Sequence, residues 1–213
     1  MRWSRSVVGV GERVWTRRDT RRVVAAAATL AGGAAIARAG VPGLERNVFE
    51  AINGLPDVLY RPIWLPMQAG SLAGGLILAT ALGVTTRRGV VGAVAAGAVT
   101  TAWLVAKEVK DLVQRERPFG AGLEAIVRDD SVGWGYVSGH TSVAFALYAV
   151  AAPHLRPPWR RAALGAAAFV AFARIYSGAH LPLDVVGGAA VGVVVGEGFR
   201  VIESLHAQRR RSG

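Results

Sequence analysis

Residues 182–202 read PLDVVGGAAVGVVVGEGFRVI. The stretch is as long as a helix needs to cross a bilayer core, for which roughly 20 apolar residues suffice. Gly188, Gly192 and Gly196 recur at every fourth position, in register with Asp184. On a helix these positions form a seam of small residues along which a second helix can approach closely. Pro182 suits the first turn of such a helix. A carboxylate near the start of a membrane helix is costly, and Asp184 therefore asks for a partner.

The pattern repeats along the chain. Five further segments approach the same length, at about 22–40, 64–86, 89–109, 138–155 and 161–178. Hydrophobic residues make up 52% of the 213 positions and charged residues 18%, more apolar material than a soluble domain usually carries. The formal charge is nonetheless +11. A nucleic-acid partner would call for basic residues spread over a soluble surface. Here they are mostly arginines lying between apolar runs, so membrane lipids, and not nucleic acid, are the expected partners. The absence of cysteine excludes disulfides and thiolate metal ligands. The basic N-terminal stretch runs to Arg22 with no short apolar core and cleavage site behind it, so it does not read as a secretory signal. The expected fold is all-α: a polytopic membrane protein with a bundle of six transmembrane helices. A soluble bundle of very apolar helices is the plainer alternative.

Charge orients the bundle. Seven arginines precede or begin the first span, Arg87 and Arg88 separate the second from the third, Arg156, Arg160 and Arg161 separate the fourth from the fifth, and Arg209, Arg210 and Arg211 lie near the end. With six spans these fall on one side, which the positive-inside rule makes cytoplasmic. The expected organisation is a basic cytoplasmic segment at 1–22, a membrane domain at 23–202 and a basic cytoplasmic tail at 203–213. The N-terminal segment can bind anionic head groups. In the outer loop 41–63, Leu44, Val48, Phe49, Ile52 and Leu55 share a helical face, which suits an interfacial helix or a packed connector.

The outer ends of the spans collect ionisable groups: Lys107, Lys110, Arg117, His140, Arg174, His180 and Asp184. Lys110, Arg117 and Arg174 are suited to a phosphate, because guanidinium forks match its oxygens and lysine adds a point charge. Ser138 and Gly139 begin a helix, where free N–H groups favour an anion. His180 and Asp184 stand four apart, so the carboxylate can reach the imidazole and fix its tautomer. Singly, each has a plainer reading. Lys107 reads as a snorkelling lysine, His154 and His206 as boundary histidines, and Ser138-Gly139 as a cap.

Taken together, the spacings are far more specific. Lys110, six residues, Arg117-Pro118; Ser138-Gly139-His140; then Arg174, five residues, His180, three residues, Asp184: this order resembles the three-part signature of the type 2 phosphatidic acid phosphatase superfamily, over roughly residues 45–202. Val137 stands where that family has proline, and Ala173 where it has serine. The resemblance implies a lipid phosphate phosphatase with its active site at the outer membrane boundary. It makes His180 the nucleophile that forms a phosphohistidine, and His140 the acid that protonates the leaving oxygen. Asp184 would orient His180, while Lys110, Arg117, Ser138, Gly139 and Arg174 would hold the phosphoryl oxygens. No cofactor or metal is implied, and the sequence lacks an obvious carboxylate cluster of the magnesium-binding kind. The expected substrate is a lipid phosphate, first a polyprenyl diphosphate such as undecaprenyl diphosphate, with phosphatidic acid and phosphatidylglycerol phosphate as alternatives. A transporter, or a catalytically silent member of the family, is the rival reading.

Overall fold

The computed structural model describes residues 15–212, and among these it is helical without strands. The expectations for residues 1–14 lie outside the described residues. Eight α-helices follow in order: α1 (Arg17–Ala39), α2 (Gly43–Asn53), α3 (Tyr60–Met67), α4 (Leu72–Thr85), α5 (Gly89–Val113), α6 (Gly139–Ala151), α7 (Pro157–Tyr176) and α8 (Pro182–Ser212).

Each of the six apolar segments falls on helix. Among them α1, α5 and Pro182–His206 of α8 are long and apolar enough to cross a membrane, and α3 with α4 makes a fourth if the pair is one span. By length and composition alone α6 and α7 fall short: α6 has 13 residues, and α7 carries Arg160, Arg161 and Arg174.

The segment 64–86, expected as one continuous helix, is broken, with α3 and α4 bent by 65°. The cause is Ser71, which is extended and caps a new helix. Its hydroxyl accepts from the Gly74 amide at 3.0 Å and donates to the Gln68 carbonyl at 2.8 Å. A Ser N-cap competes with helix continuation because its oxygen replaces a missing backbone acceptor. At the break, a Cβ on Gly70 would come within 2.7 Å of the His140 carbonyl oxygen. The bend therefore presses the chain against the start of α6.

The glycine seam of α8 packs on α6. A Cβ on Gly188 would stand 2.5 Å from Ser138 O, on Gly192 2.5 Å from Ser142 O, and on Gly196 2.6 Å from Ala149 Cβ. No other residue fits without driving the helices apart. Tyr136 anchors the loop before α6 to α1 by donating to Leu30 O at 2.6 Å. In α2 the packed face is Glu45, Phe49 and Asn53. Leu44 and Val48, expected on the apolar face, are exposed. So α2 is a packed connector through a stripe that includes an acid, and its exposed apolar residues point away from the bundle.

Candidate active site

His180 lies in the turn between α7 and α8. Gly178 makes that turn at φ +75°, and a Cβ there would come within 2.4 Å of Ile126 O. The His180 amide then bonds Arg174 O at 3.2 Å. Its Nδ1 faces Asp184 Oδ2 at 3.3 Å, the reach expected of positions four apart at a helix start. The pair is buried, His180 at 2% exposure and Asp184 at 0%. Burial first, and then the positive fields of Lys110, Arg174, Arg117 and His140, hold the His180 imidazole well below its ordinary range. His180 is thus neutral near pH 7, with Nδ1–H directed at Asp184 and the Nε2 lone pair available for attack.

Asp184 is itself held. Its Oδ2 accepts from the Leu181 amide at 2.9 Å, and its Oδ1 accepts from Arg115 Nη1 at 2.9 Å. Arg115 forks onto Glu45, with Nη1 at 3.0 Å from Oε1 and Nη2 at 2.6 Å from Oε2, and also donates to Gly40 O at 3.2 Å. Glu45 Oε1 in turn accepts from the Leu183 amide at 2.8 Å. Arg115 is 5% exposed and Glu45 6%. Burial alone would lower the Arg115 pKa, but the Glu45 and Asp184 carboxylates outweigh it and hold Arg115 above its ordinary value. Two carboxylates and one guanidinium thus fix the first turn of α8 from behind. Sequence reading missed Glu45 and Arg115. Arg115 sits inside the six-residue interval between Lys110 and Arg117, and Glu45 belongs to none of the three motifs. The four-residue spacing of Glu45, Phe49 and Asn53 was the signal available.

Ser138 caps α6, its side chain fully buried and accepting from Thr141 Oγ1 at 3.1 Å. Its amide donates to Asp184 O at 2.8 Å, and the N–H groups of Gly139 and His140 at the start of α6 have no backbone acceptor among the described residues. His140 is half-buried, and its ring makes no hydrogen bond to another described residue.

The three cations converge on the same space but are engaged by the preceding loop. Lys110 Nζ donates to Trp134 O at 2.6 Å. Arg117 donates to Gly133 O at 2.8 Å, Val132 O at 2.9 Å and Ala179 O at 2.6 Å. Burial and the nearby Arg174 guanidinium pull Arg117 down to about 10, still cationic at neutral pH. Arg174 is buried, bonded to the Asp129 carboxylate and to Ser131 Oγ at 2.7 Å. Arg128 fastens this loop by donating to Asn53 O at 2.8 Å, Tyr176 O at 2.7 Å and Leu55 O at 2.7 Å. Lys107, by contrast, lies exposed over the Trp103 ring at 3.7 Å, and His154 pairs with Glu203 at 3.2 Å. The structure thus gathers Lys110, Arg117, Ser138, Gly139, His140, Arg174, His180 and Asp184 at one end of the bundle and leaves Lys107 and His154 out.

A helical bundle with this ordered set of residues defines a class. The family model described as the PAP2 superfamily matches residues 76–204, and the chain belongs to that superfamily. Among solved structures the chain is similar to one described as the first transmembrane PAP2 type phosphatidylglycerolphosphate phosphatase from Bacillus subtilis. That likeness has a TM-score of 0.72 at 19% identity, and covers 85% of this chain and 96% of the other. It is also similar to Aquifex aeolicus LpxE, with a TM-score of 0.61 at 24% identity, covering 78% and 96%. No curated protein matches the chain.

Proposed function

We propose that this protein is an integral membrane phosphatase that hydrolyses a lipid phosphate or diphosphate through a phosphohistidine. The observation that carries the reading is the buried His180–Asp184 pair, 3.3 Å apart, within the field of Lys110, Arg117 and Arg174. Phosphoryl transfer needs positioning and charge stabilisation more than anything else, and this arrangement supplies both.

His180 Nε2 attacks phosphorus, and the bond from phosphorus to the leaving oxygen breaks. His140, protonated once the substrate phosphate offsets the surrounding cations, gives its proton to that oxygen. The neutral His140 then takes a proton from water, whose oxygen attacks phosphorus and breaks the P–N bond, releasing phosphate and restoring His180. Asp184 supports the positive charge that develops on His180. Lys110, Arg117, Arg174 and the amides at the start of α6, where Ser138 and Gly139 lie, hold the phosphoryl oxygens.

The proposed topology has six spans, with both termini cytoplasmic and the site facing outward in the plasma membrane. In it α6 and α7 cross as shorter members of the bundle. An outward site suits a carrier lipid, so undecaprenyl diphosphate is the proposed substrate. Phosphatidylglycerol phosphate and phosphatidic acid are the alternatives, the former supported by the description of the B. subtilis protein.

The test is phosphate release by the purified protein across a panel of these lipids. Wild type releases phosphate from at least one, and acid-labile phosphate can be trapped on the protein. His180→Ala abolishes both. Activity retained in His180→Ala removes the mechanism, and no release from any lipid returns the transporter or silent reading.

A further inference from the structure

The end of the bundle away from His180 carries a second concave site. Glu197 marks it on α8, 13 residues beyond Asp184, about 20 Å along the axis at the rise of an α-helix. The start of α1, the second half of α6, the start of α7 and the middle of α8 enclose a cleft of about 1110 Å³ there. Its lining has two distinct halves. Phe145, Tyr148, Leu164 and Val193 supply an apolar floor, and five arginines against two carboxylates supply the polar part.

The carboxylates are already engaged. Glu197 is bonded by Arg200 and lies 3.7 Å from Arg22, while Asp19 accepts from the Thr16 amide at 2.9 Å in the cap of α1 and lies 4.0 Å from Arg200. Both acids are buried. Arg17 and Arg18 on α1 and Arg160 on α7 remain, exposed and in no ion pair among the described residues. Three guanidinium groups over an apolar floor match an amphipathic anion. The forks take phosphate oxygens and the floor takes a hydrocarbon chain. A basic pocket between membrane helices at the cytoplasmic boundary is also where anionic head groups bind.

We propose that this cleft binds an anionic phospholipid of the inner leaflet, with its phosphodiester on Arg17, Arg18 and Arg160 and an acyl chain along Phe145 and Leu164. Bound there, the lipid bridges α1 to α7, helices that pack on α8 and on α6 respectively. The site is separate from the His180 centre and does not depend on the phosphatase chemistry, though its assignment to the inner leaflet rests on the proposed topology.

The test is thermal unfolding of the full chain in neutral detergent with added phosphatidylglycerol, phosphatidylcholine or inorganic phosphate. Saturating phosphatidylglycerol raises the Tm of wild type by roughly 5 °C. Phosphatidylcholine and inorganic phosphate leave it within about 1 °C of the untreated protein. The triple variant Arg17→Gln, Arg18→Gln, Arg160→Gln, with the His180 centre intact, loses the phosphatidylglycerol shift. An equal shift in the triple variant, or with phosphatidylcholine, overturns the site. An equal shift with inorganic phosphate overturns the lipid as its ligand.

Discussion

Arg115 is the sharpest place to test the reasoning, because it touches no part of the proposed substrate. Arg115→Met removes the donors that reach Asp184 Oδ1 at 2.9 Å and Glu45 at 2.6 and 3.0 Å. Two buried carboxylates are left facing one another without a cation. Breaking a buried pair in this way costs about 3–5 kcal/mol, a large share of the roughly 5–15 kcal/mol that holds a domain together. Asp184 keeps its bond from Leu181 but loses its second anchor, so the His180 ring is less well placed. A misplacement of about 1 Å costs roughly 10²-fold in rate, and kcat falls by about that factor while KM stays within about twofold. The informative comparison is the double variant Arg115→Met, Glu45→Leu. Glu45→Leu removes one of the two uncompensated carboxylates but leaves Asp184 without its cation, so melting recovers part of the lost stability. The rate does not recover, since nothing again holds Asp184 Oδ1. Parallel melting curves and steady-state kinetics decide the matter. A kcat for Arg115→Met near wild type, or one restored in the double variant, refutes the positioning role.

Burial depresses the His180 pKa in the folded protein, so protons bind the unfolded chain more readily there. Its contribution to stability is complete above about pH 7, the unfolded value being about 6.5, and it is lost as pH falls, by about 1.4 kcal/mol per pH unit until the folded pKa is reached. Melting between pH 7.5 and 5 shows this slope, and His180→Gln reduces it; an unaltered slope in the variant assigns it elsewhere. Asp129→Asn weakens the contact that competes for Arg174 and lowers KM up to about 10-fold with kcat little changed, and an unchanged KM argues against phosphate on Arg174. Gly192→Val places a Cβ 2.5 Å from Ser142 O and destabilises by about 3 kcal/mol or more, read as a lowered Tm. A variant that melts like wild type is incompatible with the α6–α8 seam.

What was legible in the sequence was local in the chain. The spacing of His180 and Asp184 is a helical one, and the structure places them 3.3 Å apart. The glycine seam could be read because its period is that of a helix face. Glu45 and Arg115 lie 70 positions apart, and no periodicity links them. Their pairing follows from where α5 stops, at Gln114 in a left-handed conformation, and that turn carries no glycine to announce it. The break at Ser71 escaped for a related reason. Apolar character continues through it, and only the local competition of one hydroxyl for backbone groups divides the helix. The hydrophobic pattern of α2 misled because a charged stripe can be the buried one when a guanidinium waits inside.

The close packing of α6 on α8 has a consequence for selectivity. Ser138 at the start of α6 is bonded through its amide to the carbonyl of Asp184 at the start of α8, and the glycines below bring the two backbones into contact. In the proposed mechanism one helix carries the acid and the other braces the nucleophile. The gap between the two histidines is therefore a fixed gauge, not an adjustable jaw. In that mechanism it takes one phosphorus and its leaving oxygen, whatever the lipid behind them. On that proposal, discrimination among lipids falls to surfaces outside the gauge, such as the flanks of α3 and α4, where sequence can change without disturbing the chemistry.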